Sequence, residues 1–167
     1  MKKVLPFAGL IAAVLAIVGL ILMLATNAVI VTSGNLQVNY AGTTVLFGKT
    51  ESTILGDVVT KPSVLALIGF ILLAVGLLAA CASVLGGLLK IKALAKLGGL
   101  LMLVAAGCFL VAGIFMFLAV PTFYSANDAN VPDNASLGAG WVIGAILNLV
   151  AAAFAALPAV MGLLGKK

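Results

Sequence analysis

The chain has 167 residues, 65% hydrophobic and 8% charged, and its net charge of +5 comes from nine Lys and four acids with no Arg and no His. Soluble globular domains average about half apolar and a quarter charged residues, so a water-soluble fold is excluded and an integral membrane protein is expected. His is absent and no apolar run holds an acid or a Lys, so the usual groups of proton relays, ion coupling and acid–base catalysis are missing. The chain is therefore not expected to be an enzyme, and no cofactor or metal is expected.

In chain order, Val4 to Ala25 is the first of four stretches long enough for a hydrocarbon core that needs about 20 apolar residues. It follows Lys2 and Lys3. This run is longer than the apolar core of a cleavable signal peptide, about 7 to 15 residues, so it reads as a retained span.

The loop 26–63 contains TSGNLQVNYAGTTVLFGKTES, which has the alternation of a half-buried sheet. Gly34-Asn35 is a favoured two-residue hairpin turn. Pairing outward from it sets Ser33 opposite Leu36, Val31 opposite Val38 and Val29 opposite Tyr40 on one face, with Thr32–Gln37 and Ile30–Asn39 on the other. If Ala41-Gly42 is a second turn, Tyr40 meets Thr43, Val38 meets Val45 and Leu36 meets Phe47. One register thus gathers Val31, Leu36, Val38, Tyr40, Val45 and Phe47 on an apolar face, which a slip of one residue would destroy. A three-stranded β-meander is predicted, with a fourth strand near Ile54 to Val59. Its apolar face is the candidate interaction surface.

The remaining spans are Val64 to Leu89, opened by Pro62; Leu97 to Val120, closed by Pro121; and Trp141 to Leu164, which Pro158 should bend near its end. Lys90, Lys92 and Lys96 fill the link 90–96, and Lys166 and Lys167 end the chain. The loops 26–63 and 121–140 hold all four acids, Glu51, Asp57, Asp128 and Asp133, against Lys49 and Lys61. The positive-inside rule then sets both termini in the cytoplasm and both loops outside, in the plasma (cytoplasmic) membrane. Charge placed this way orients a chain among lipids; it does not make a nucleic-acid surface.

Cys81 and Cys108 fall inside spans, form no C-x-x-C pair and read as small buried residues. LAAC, residues 78–81, has the letters of a lipidation box, but its span enters from the wrong side. NDANVPDN, residues 127–134, lacks the spacing of a standard calcium loop and reads as turns. Asn134-Ala135-Ser136 is a glycosylation sequon on the external side. Phe115, Phe117, Phe123, Tyr124 and Trp141 should form an aromatic belt at the outer boundary.

Small residues recur every seven positions: Gly69, Gly76 and Ser83; Gly99, Ala106 and Gly113; Gly138, Ala145, Ala152 and Ala159. Such stripes let helices approach closely. Gly140 and Gly144, continued by Asn148 and Ala152, form a second small face that could meet another subunit. Asn148 itself suits a bond to a neighbouring helix, or a place on a solute path.

The expected fold is an all-α integral membrane protein: a four-transmembrane-helix up-down bundle, N-in and C-in, with a small extracytoplasmic β-meander. This arrangement resembles the claudin-type tetraspans in topology. The Trp and Cys residues that mark the first loop of that family are absent from residues 26–63, so no residue role is carried over. The expected function is that of a non-enzymatic structural or accessory membrane protein, a homo-oligomer or a subunit of a membrane complex among membrane lipids. The alternative is a channel or carrier subunit for a neutral or hydrophobic solute, with Ser83, Asn148 and Pro158 near its path.

Overall fold

The computed structural model describes residues 5–53, 56–89 and 92–164. In chain order the elements are α1 (Leu5–Ala25), β1 (Asn27–Ser33), β2 (Leu36–Ala41), α2 (Gly42–Phe47), β3 (Lys49–Thr53), β4 (Gly56–Thr60), α3 (Val64–Leu88), α4 (Lys92–Phe117), α5 (Ala119–Ala126), β5 (Ala135–Leu137) and α6 (Ala139–Leu164). Four helices, α1, α3, α4 and α6, are long and apolar enough to cross a membrane. Lys2, Lys3, Lys90, Lys166 and Lys167 lie outside the described residues.

The four long helices close a ring in which α1 and α4 each pack against both α3 and α6. Numbers rise along one helix as they fall along its neighbour. Gly69 lies against Phe115 and Gly76 against Cys108; Gly113 lies against Leu149 and Gly144 against Met116; Gly19 lies against Asn148 and Gly9 against Val84. Neighbours in the ring are therefore antiparallel, and the bundle runs up and down.

Its interior is rich in small side chains, with Leu73, Met102, Phe109 and Met116 as the larger groups buried among them. Ala12, Ala16, Ala105, Ala112, Ala145, Ala151, Ala155 and Ala159 are buried, whereas Leu10, Ile17, Ile71, Leu78, Leu110 and Ile146 point outward. Water would drive the larger apolar groups inward; lipid gives no such drive, and close backbone approach decides the packing instead. The predicted stripe on α3 works in this way: Gly69 and Gly76 face α4, and the Ser83 hydroxyl donates to the Gly98 carbonyl at 3.1 Å. Gly138 departs from its stripe, because it precedes α6 and packs against the carbonyl of Asn27.

At the far end from the α3–α4 link, β1 and β2 form the expected hairpin with every predicted pair in place, from Ser33–Leu36 to Val29–Tyr40. Gly34 supplies the positive φ, 59°, that the turn requires. The rest of the meander is corrected. Residues 42–47 are the helix α2, not a strand, because the Gly42 N–H bonds to the Thr26 carbonyl at 2.8 Å and draws the chain back over the end of α1. The third strand of the sheet is β5, from the second loop, giving the order β2-β1-β5.

The expected fourth strand also changes place. β4 pairs with β3 in a separate hairpin, while Ile54 and Leu55 lie outside the described residues. The third span ends at Phe117, and Pro121 sits in the first turn of α5, where its missing N–H costs no helix bond. The aromatic belt is corrected in part: Phe117 is exposed, but Phe123, Tyr124 and Trp141 are buried within the cap.

The glycines of the bundle give a direct test of the packing. A Cβ on Gly76 would lie 2.8 Å from Cys108 Cβ, whereas a Cβ on Gly107 meets nothing within 4 Å. Gly76→Ala should lower stability by about 1–3 kcal/mol through overpacking, and Gly107→Ala should be neutral or raise it by up to about 1 kcal/mol. Thermal unfolding of both variants in one detergent measures the contrast.

Candidate functional site

The cap holds the polar and exposed surface, and three ties fix it to the bundle. At the first, the Leu22 carbonyl takes both the N–H of Thr26 at 3.1 Å and its hydroxyl at 2.7 Å, which closes the last turn of α1. The next carbonyl, that of Met23, lies past the last helical N–H, and the buried Trp141 indole donates to it at 3.1 Å. Gly42 sits between them; any Cβ there would strike the Met23 carbonyl and the indole nitrogen.

The second tie is a chain of hydroxyls. Ser63 caps α3 by accepting from the Ala66 N–H at 3.4 Å, and its oxygen lies 2.8 Å from Thr122 Oγ1. Thr122 gives its only hydroxyl proton to the Leu118 carbonyl at 2.7 Å, so Ser63 is the donor to Thr122. The chain runs one way, from the start of α3 to the start of α5.

The third tie joins the two loops. The Lys61 N–H donates to Asn127 Oδ1 at 2.8 Å, and Asn127 Nδ2 donates back to the Lys61 carbonyl at 3.1 Å, so one side-chain amide clasps both backbone polar groups of one residue. Lys61 Nζ reaches Asp128 at 2.8 Å. That hydrogen bond, and then the lysine charge, hold the Asp128 carboxyl below its ordinary range. Asn127 and Asp128, weighed in the sequence as part of an oxygen-rich run, are thus engaged with Lys61. Asn134 donates from Nδ2, the atom that would carry a glycan, to the Thr32 carbonyl.

The expected interaction residues divide by position. Val45 is buried beneath the cap. Val31 and Tyr40 are half-buried, and the Tyr40 ring lies 4.9 Å from that of Phe123 on α5. Burial, and then the neighbouring Tyr40, push the Tyr124 hydroxyl above its usual range. Beyond the reach of α5 the same sheet face is open: Val38 is 53% and Leu36 75% exposed. Phe47 is also exposed and meets Phe70 of α3 edge-on at 5.7 Å.

Gly140 and Gly144 face inward. A side chain at Gly140 would strike Thr26, and a Cβ at Gly144 would lie 2.8 Å from Met116 Cε, so both glycines serve contacts within the chain. Asn148 is buried beside them and donates to Met116 Sδ at 3.2 Å. Its Oδ1 has no hydrogen-bond partner among the described residues and fills the space that a Cβ on Gly19 would need. Asn148 and Ser83 both meet neighbouring helices. The residues of the three ties carry no sequence motif; Trp141 beside Gly138 and Gly140 was the nearest signal for the first of them.

No protein-family model matches the chain, and no curated protein is significantly similar to it.

Trp141→Phe keeps the aromatic bulk and removes the indole donor, leaving the Met23 carbonyl unpaired. The loss expected is about 1–3 kcal/mol, measured by thermal unfolding with Phe117→Leu at an exposed aromatic as control.

Proposed function

We propose that this chain is a four-pass membrane protein that works through contact rather than chemistry, as a self-associating protein or an accessory subunit of a membrane complex. The observation that carries the reading is the open end of the β1–β2 hairpin, which presents Leu36 and Val38 to solvent on a cap otherwise tied firmly to its helices. Full burial of each such side chain contributes about 1.5–3 kcal/mol, enough for a few of them to hold a partner. The absence of His and Arg from the sequence supports a role without acid–base or anion-clamping chemistry.

In this reading both termini and the α3–α4 link face the cytoplasm, where Lys side chains meet anionic headgroups, and the cap stands outside the plasma (cytoplasmic) membrane. A channel or carrier for a neutral solute would need Ser83 and Asn148 on its path. Their engagement with Gly98 and Met116 supports packing roles instead.

Orientation is tested by labelling in intact cells with a membrane-impermeant thiol reagent. Cysteines introduced at Ser52 and Ala129 should react from outside, and one replacing Ala95 only after permeabilisation. External labelling at Ala95 would reverse the orientation.

The contact role is tested by particle mass in lipid nanodiscs and by mass-spectrometric identification of partners in the native membrane. Val38→Lys should remain folded, since Val38 is half exposed, yet lose its partner or its second copy. Asn39→Lys, one residue along on the polar face, should lose neither. A chain that is always single and partnerless would end the proposal.

A further inference from the structure

The free edge of the sheet has a polarity that can be read from its bonds. Thr32 gives its N–H to the Asn134 carbonyl and its carbonyl to the Asn134 side chain, and Ser136 donates to the Ile30 carbonyl at 3.4 Å. Backbone groups of even-numbered β1 residues therefore point toward β5. In an antiparallel pair the direction alternates, so Val29, Val31 and Ser33 point toward β2 and exchange bonds with Tyr40, Val38 and Leu36. It follows that the N–H and C=O of Gln37 and Asn39 point away from β1, along the outer edge of β2.

From Leu36 to Tyr40 that edge lacks the usual guards against strand pairing, which are charge, Pro, bulges or very short length; the register shift of the ladder lies at its far end, between Asn27 and Val29 of β1. The other exposed hairpin has them: Lys49 and Glu51 on β3, and Asp57 on β4. The opposite edge of the same sheet, β5, is three residues long. Residues 27–47 contain no charge at all, and residues 36–39 are all exposed.

The pattern on β2 is also symmetric about Val38. Leu36 and Tyr40 flank it on the apolar face, and Gln37 and Asn39 flank it on the polar face, where Gln37 Nε2 donates to Asn39 Oδ1 at 3.0 Å. We propose that the occupant of this edge is a second copy of the chain, paired antiparallel through β2 with Val38 opposite Val38. Leu36 then lies opposite the partner's Tyr40, and Gln37 opposite the partner's Asn39. The outward backbone groups of Gln37 and Asn39 form the hydrogen-bonded pairs, and Val38 is the non-hydrogen-bonded pair on the axis. Both faces match, and a two-fold axis closes the assembly at two copies. A slip of one residue would set apolar against amide side chains. The inference rests on the contact role proposed above.

The register is tested by cross-linking in native membranes, in a Cys81→Ala, Cys108→Ala background. Non-hydrogen-bonded partners sit about 4.5 Å apart at Cα, within reach of a disulfide, so Val38→Cys should give a covalent dimer on mild oxidation. Two Asn39 positions would be about 8 Å apart, so Asn39→Cys alone should not cross-link, nor should Gln37→Cys alone. Mixed together, those two variants should. Asn39→Pro removes an outward N–H from an edge strand and should halve the particle mass without lowering thermal stability.

Cross-linking at Asn39 as readily as at Val38 would overturn the β2 register. So would an uncross-linked Val38→Cys in particles of two or more copies, which leaves self-association standing. A single copy bound to a different protein would overturn the second copy and leave the accessory role intact. A single copy without any partner would end both.

Discussion

The bond from the Trp141 indole to the Met23 carbonyl fixes the height at which α6 begins relative to the end of α1. Much of the cap follows from that height. With α6 held there, Gly138 meets the start of β1 at Asn27, its N–H reaches the Ala28 carbonyl at 2.9 Å, and β5 is laid beside β1. The same carbonyl of Met23 leaves room beneath the indole only for a residue without a side chain, which places Gly42 there and starts α2. A neutral hydrogen bond of this kind contributes only about 0.5–1.5 kcal/mol net, so its importance is positional. It selects one relative height of two helices whose apolar surfaces would slide at little cost.

Below the cap the constraint is of a different kind. An interior rich in Ala and Gly has only a few large side chains to interlock, Leu73, Met102, Phe109 and Met116 among them, and close backbone approach does much of the rest. Asn148 is the exception at the centre. Its pairing with Met116 joins α6 to α4, while its oxygen presses on Gly19 of α1, so three helices meet at one polar side chain. Moving α4 or α6 by a turn would break the bond to Met116, at a cost of about 1–3 kcal/mol, and moving α1 would bring a residue with a side chain into the space beside the amide oxygen. The cap and this node thus set the register at two different depths.

Much of the fold was legible in the residues. Four uninterrupted apolar runs gave the long helices, and Gly34-Asn35 gave the hairpin with its register, because a two-residue turn leaves little freedom in pairing. The segment Thr43-Thr44-Val45-Leu46-Phe47 was misleading, since β-branched and aromatic residues favour a strand; a tertiary bond at Gly42 overrode that preference. β5 was invisible, because Ala135-Ser136-Leu137 is too short to show a period. Trp141 read as an interfacial anchor for want of any local sign that its indole faces a carbonyl 118 positions earlier. For the candidate site, the alternation identified the apolar face, while which part of it stays open depended on the reach of α5, a helix of only eight residues.

The sheet also imposes an order of assembly. β2 follows β1 directly and can pair as soon as both exist, but the other neighbour of β1 lies about a hundred positions along the chain, as the 102-residue separation of Asn134 from Thr32 measures. Contacts so distant in sequence form late and slowly. Until the last helix takes its place, the β5-facing side of β1 stays bare and the Met23 carbonyl stays unanswered. Completion of the cap is therefore a record that all four long helices are in place, and an interrupted chain carries a visible mark of its own incompleteness.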